Sequence, residues 1–218
     1  MFPIGDDNSS ERSTAFINYL LIAVNILAFL YEISQPDVQE FLMRWGDVPR
    51  YVAHGERLST LITSMFLHGG WMHLIGNMVF LYVFGDNVED AFGHIPYLVF
   101  YFLCGIAAGL AQTFLASSSR LPGIGASGAI SGVMAAYMLM FAGNRVRVFF
   151  FYTVISVPAV VMIGLWIVTQ FFNGWASLAQ TQQTGGVAYG AHIGGFLAGL
   201  AMTPIFRGVG SRRASYAR

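Results

Sequence analysis

The chain is 218 residues long, 56% hydrophobic and only 10% charged, and its 11 Arg, with no Lys, balance 11 acidic residues. A soluble domain carries about 25% charged residues, so this composition excludes water as the main solvent and points to a multi-pass membrane protein. A net charge of zero argues against a nucleic-acid partner and against a strongly basic membrane-surface module.

The N-terminal stretch "MFPIGDDNSSER" is acidic and polar where a secretory signal would be basic and then apolar. The first apolar segment therefore reads as a retained span. A bilayer core about 30 Å thick takes roughly 20 mainly apolar residues to cross, and six candidates follow in order. They are Thr14–Ile33, Trp71–Phe84, His94–Leu115, Ser127–Ala142, Val148–Phe172 and Gly190–Phe206. The second and fourth are short, as expected of helices shielded by neighbours and open to water at one end. The connection Ser34–Gly70 is long and carries acidic residues, Arg44, Arg50, Arg57 and the amphipathic stretch "VQEFLMRW". The single Cys104 lies in an apolar run and allows no internal disulfide. No inverted repeat of the transporter kind is visible.

The expected fold is an all-α polytopic membrane protein, one six-helix bundle over residues 14–206 with its long first loop at 34–70. Residues 1–13 and 207–218 form tails. With the N-terminus inside, Arg12, Arg145, Arg147, Arg207, Arg212, Arg213 and Arg218 face the cytoplasm. Arg44, Arg50, Arg57 and Arg120 lie outside, seven against four. The positive-inside rule then puts both termini in the cytoplasm. In this topology spans two, four and six run from outside to inside. Each carries polar residues near its outer end: His73 and Asn77, then Ser127, then His192. Polar groups within a membrane are costly and face a bundle interior or a water-filled cavity. Three spans placing theirs at one depth point to one site.

Ser127 follows Gly125 in "PGIGASGAISG" and starts a helix, where the first N–H groups lack intrahelical partners and attract negative charge. Gly125 and Gly128 permit close backbone approach. Two readings stand for Ser127: a nucleophile beside its own oxyanion-binding N–H, or a helix cap ahead of the small-residue packing pair Gly128 and Gly132. The G-x-S-x-G elbow of α/β-hydrolases is not present, because Ala129 stands where its second Gly is required. His192, in "YGAHIGGFLAG", is flanked by two G-x-x-x-G spacings, again either for packing or as a general base for Ser127. Every acidic residue lies at or before Asp90, and Asp86 is ~13 Å along the helix from Asn77 at 1.5 Å per residue. A serine hydrolase built on this chain therefore uses a Ser–His dyad. His73 and Asn77 are four apart, hence on one helical face, and can aim two donors at one developing oxyanion. His68 and His73 are five apart, which is poor metal-ligand spacing, so neither a metal nor another cofactor is expected.

Together "HGGWMHLIGNMVFLYVFGDNVEDAFG", "GASGAISG" and "AHIGGFLAG" resemble the rhomboid intramembrane serine proteases in order and spacing. The resemblance implies a six-helix fold with Ser127 as nucleophile, His192 as base, and His73 and Asn77 at the oxyanion site. It also places His68 on the family's earlier cavity His and Glu89 on its acidic residue past the second span. The chain departs from the family in two places. "ERLSTLITS" stands where Trp-Arg is common, and Ser131 stands where an aromatic residue supports the His ring, with Tyr189 as a substitute.

The implied function is an intramembrane serine endopeptidase of a bacterial cell (inner) membrane. It would cut single-span membrane proteins near the outer face, with the lipid bilayer as its surroundings. The alternative is a non-catalytic rhomboid-like protein that binds membrane helices. A transporter is disfavoured by the missing carboxylates and repeats.

Overall fold

The computed structural model describes residues 2–6, 13–178 and 188–216; of the expected tails, residues 1, 7–12, 217 and 218 lie outside them. The first long helix, α1 (Phe16–Ile33), has no capping side chain of its own. Its cap comes from α5 (Trp71–Phe92). The fully buried Glu89 carboxylate accepts from the N–H groups of Ile17 at 2.9 Å and Asn18 at 2.7 Å. A negative charge at unpaired helix N–H groups is stabilising. Asp90 likewise accepts from the Ser13 N–H and hydroxyl at 2.9 and 2.7 Å. The second expected span thus continues a further two turns past Phe84, because its acidic end is consumed in docking α1. Gly93, at φ 85°, turns the chain straight into α6 (His94–Leu115).

Between α1 and α5 lie three short helices, α2 (Val38–Trp45), α3 (Pro49–Ala53) and α4 (Thr60–Thr63), and a 3-10 turn, Ser64–Phe66. Asp37 caps α2 by accepting the Glu40 N–H at 2.8 Å. The loop is tied to the stretch that precedes α7 (Ser127–Met140). Asp47 and Gly123 exchange backbone hydrogen bonds of 3.0 and 2.7 Å, and Gly125 N–H donates to the Ser64 carbonyl at 2.9 Å.

The helix α7 (Ser127–Met140) sits at the centre, with every residue from Gly128 to Tyr137 buried. A helix apolar all round belongs in an interior. It packs against α5, α6 and α9 (Tyr189–Tyr216). Glycines set its distance from α9. A Cβ on Gly199 would lie 2.4 Å from the Gly132 carbonyl oxygen, so the two backbones touch. This is the small-residue packing that brings membrane helices together.

Two expectations are corrected. The chain is mostly helical, not all-α, and the fifth span does not begin at Val148. Residues β2 (Arg145–Phe150) and β3 (Thr153–Pro158) form an antiparallel hairpin, extended by β1 (Phe2–Gly5) in the order β1-β2-β3. The stretch "RVRVFF" alternates exposed Arg145 and Arg147 with buried Val146 and Val148, a period of two that belongs to a strand. Only then does α8 (Ala159–Leu178) begin. Among the described residues, α1 and α6 are long and apolar enough to cross a membrane, and Ser127–Met140 and Ala159–Gly174 are shorter apolar helices.

Candidate active site

Ser127 is the first residue of α7 and is half-buried. Gly125, two residues earlier, holds φ 115°, a left-handed conformation that a side chain would strain. His192 lies in the first turn of α9 and is 8% exposed. Gly128 faces Ala191, whose carbonyl oxygen would be 3.8 Å from a Cβ on Gly128. The residues next to that crossing, Ser127 and His192, are thereby turned toward each other. Ser127 Oγ lies 2.8 Å from His192 Nε2. Neither helix could deliver this contact alone.

The other ring nitrogen is also occupied. His192 Nδ1 is 2.7 Å from Oε1 of Gln170 on α8. An amide oxygen can only accept, so Nδ1 carries the proton and Nε2 is left to accept from the Ser127 hydroxyl. Trp166, one turn before Gln170, packs its ring on the His192 ring with centroids 5.5 Å apart, and Tyr189 meets it edge-on at 6.4 Å. The place of the family's aromatic residue is taken by Ser131, whose hydroxyl donates to the Ser127 carbonyl at 2.6 Å. Sequence reasoning missed Gln170 and Trp166. The available signal was the pair Thr169-Gln170, two hydrogen-bonding side chains within an otherwise apolar run.

On α5, the Gly69 N–H donates to His73 Nδ1 at 3.2 Å. His73 is thus an acceptor at Nδ1 and a donor at Nε2. Both His73 Nε2 and Asn77 Nδ2 point at Gly125, lying 2.7 and 3.5 Å from where its Cβ would be. Asn77 is buried, and its amide nitrogen has no hydrogen-bond partner among the described residues. Leaving a buried donor unpaired costs about 1–3 kcal/mol, a cost that an arriving anionic oxygen would remove. His68 is not brought to this point. It is fully buried with its ring against His73, centroids 5.2 Å apart, and its backbone N–H donates to the Glu32 carboxylate at 2.9 Å. It supports His73 from behind. A cavity of about 40 Å³ opens beside Ser127, lined by Asp47, Gly105, Gly109, Gln112, Gly125 and Gly128 among others.

A serine paired with an imidazole, facing two oriented donors at a helix N-terminus, is a constellation for acyl transfer. Residues 55–208 match the family model "Rhomboid domain". The chain is similar to "Rhomboid protein 1, mitochondrial" of Saccharomyces cerevisiae, 28% identical over 188 residues, 84% of this chain and 51% of that protein. It is similar to "RHOMBOID-like protein 12, mitochondrial" of Arabidopsis thaliana, 31% identical over 156 residues, 64% of this chain and 44% of the relative. It is also similar to "Rhomboid protease GluP" of Bacillus subtilis, 35% identical over 130 residues, 58% of this chain and 25% of the relative. The chain spans about half the length, or less, of the curated relatives it matches. The matched region runs from the loop before α4 into α9 and includes His73, Asn77, Gly125, Ser127, Gln170 and His192. By this match the chain belongs to the rhomboid family.

Proposed function

We propose that the chain is an intramembrane serine endopeptidase that cuts single-span membrane proteins near the outer face of the bilayer. The observation that carries the reading is the 2.8 Å contact between Ser127 Oγ and His192 Nε2. In the proposed reaction Ser127 Oγ attacks the scissile carbonyl carbon and its proton passes to His192 Nε2. The tetrahedral oxyanion is held by the Ser127 N–H, His73 Nε2–H and the Asn77 amide. The C–N bond then breaks as Nε2 returns the proton to the leaving amine, leaving an ester on Ser127. Water attacks that ester, gives its proton to Nε2, and Ser127 Oγ regains it on release.

The proposed membrane arrangement has six crossings: α1, α5, α6, α7, α8 and α9. The antiparallel pairing of β1 with β2 supports it, since four crossings between them return the chain to one side. Together with the Arg distribution, this favours both termini on one side of the membrane, the cytoplasmic side under the positive-inside rule. The proposed boundaries are a tail to residue 13, the bundle over 14–206, and a second tail from 207. The proposed substrates carry helix-destabilising residues and a small residue at the cut. An extended backbone has to reach Ser127, and the cavity beside it is narrow, lined by Gly105, Gly109, Gly125 and Gly128.

The test is a serine-directed fluorophosphonate probe on the purified protein, followed by cleavage of a single-span substrate in liposomes. Wild type labels and cleaves; Ser127→Ala and His192→Ala do neither while keeping their melting temperatures. Absence of labelling in wild type, with a substrate helix still retained, would turn the assignment to a membrane-helix binding protein.

A further inference from the structure

We propose that Gln170 is a positioning residue for the general base, holding His192 in the one tautomer that can take the Ser127 proton; this rests on the protease reading above. The hydrogen bonds run in one direction through five groups. The Ser127 hydroxyl donates to His192 Nε2 at 2.8 Å and His192 Nδ1–H donates to Gln170 Oε1 at 2.7 Å. Gln170 Nε2–H donates to Thr169 Oγ1 at 3.4 Å, and the Thr169 hydroxyl donates to the Trp166 carbonyl at 2.6 Å. The last link fixes the direction of all the others. A hydroxyl already donating to a backbone carbonyl offers only lone pairs to Gln170, so the Gln170 NH₂ belongs on that side and its oxygen faces His192.

The choice of an amide follows from the environment. No acidic residue lies beyond Asp90, so α6 to α9 contain no carboxylate to complete a triad. A charged acid in the middle of a span is costly, whereas Gln accepts the same hydrogen bond without a charge. It stabilises the imidazolium less than a carboxylate does, but it still forbids the Nε2–H tautomer, which cannot accept from serine. The single helical turn from Trp166 to Gln170 presents both residues to one imidazole. Trp166 packs on the ring while Gln170 fixes its rotation.

Two readouts test this. Nitrogen NMR of the full-length protein labelled at histidine, with the His192 signals assigned by subtraction of His192→Ala, reads the tautomer directly. Wild type should show Nδ1 protonated, Gln170→Leu a mixture, and Gln170→Glu the wild-type pattern. In cleavage assays Gln170→Leu should lose about 10- to 10²-fold in kcat with KM within about threefold, and Gln170→Glu should recover most of it. Gln170→Met, close to Gln in length and shape, replaces the Leu variant if that one fails to fold. A wild-type tautomer spectrum and a kcat within threefold in the Leu or Met variant would make Gln170 a packing residue and overturn the proposal. If wild-type protein neither labels nor cleaves, the protease reading falls, and the spectra still decide whether Gln170 holds His192.

Discussion

Gly195 of α9 lies so close to Gly128 of α7 that a Cβ on Gly195 would stand 2.0 Å from the Gly128 carbonyl oxygen. This contact sets the spacing of the two helices that carry Ser127 and His192. One methyl group is therefore enough to part them. Gly195→Ala should lower stability by about 1–3 kcal/mol through overpacking, and it should reduce fluorophosphonate labelling even of the molecules that remain folded. Gly164→Ala, on α8 where a Cβ meets nothing within 4 Å, should be neutral or stabilising by up to about 1 kcal/mol. Melting and labelling measured on both variants check the contrast.

The donors on α5 should act on the transition state. Asn77→Ala and His73→Ala should each lower kcat by about 10- to 10³-fold with less change in KM. The double variant should lose less than the product of the two, because in the proposed reaction both donors serve one oxygen. A large melting shift in Asn77→Ala with kcat unchanged would assign its amide to packing.

Glu89 should matter for stability and not for chemistry, since it caps α1 from the end of α5 opposite His73. Glu89→Ala leaves the Ile17 and Asn18 N–H groups without the carboxylate. It also removes the 2.5 Å contact with His94. The expected loss is about 2–4 kcal/mol, since each buried N–H deprived of its acceptor costs about 1–3 kcal/mol. Labelling per folded molecule should stay at the wild-type level. Chemical unfolding in detergent, with the probe applied at each denaturant concentration, separates the two quantities.

Asp47 gives a pH dependence of known sign. Burial against the loop and α6 raises its carboxyl from the ordinary 3.8 to about 6, and its Oδ1 has no hydrogen-bond partner among the described residues. The folded protein thus binds a proton more tightly than the unfolded chain between about pH 4 and 6. The penalty for burying the charge is fully present above about pH 6 and is relieved as pH falls toward 4. Asp47→Asn should therefore be more stable than wild type at pH 7, by something on the order of 2 kcal/mol. The difference should shrink as pH approaches 4. Melting curves of both proteins across that range test it. A difference that is constant with pH would show that Asp47 does not titrate in this window.

How much of this was legible beforehand depended on whether the signal was local. Composition alone dictates the membrane, because a chain with so few charges cannot cover itself in water. The glycine spacings in "GASGAISG" and "YGAHIGGFLAG" mark two faces meant for close contact, and His73, Asn77, Ser127 and His192 are local irregularities in apolar spans. The hairpin at residues 145–158 was also written in "RVRVFF", but total apolarity outweighs a period of two when a run is scored for span length. The partners of these residues were decided only by packing. Nothing near Phe16 announces that Glu89 will cap α1, because α1 and α5 meet across more than fifty residues of chain. Nothing in α8 alone says that Gln170 will find Nδ1 of His192. A search for acidic residues could not find it, since what fixes a tautomer is an acceptor at the right distance, and an uncharged amide serves.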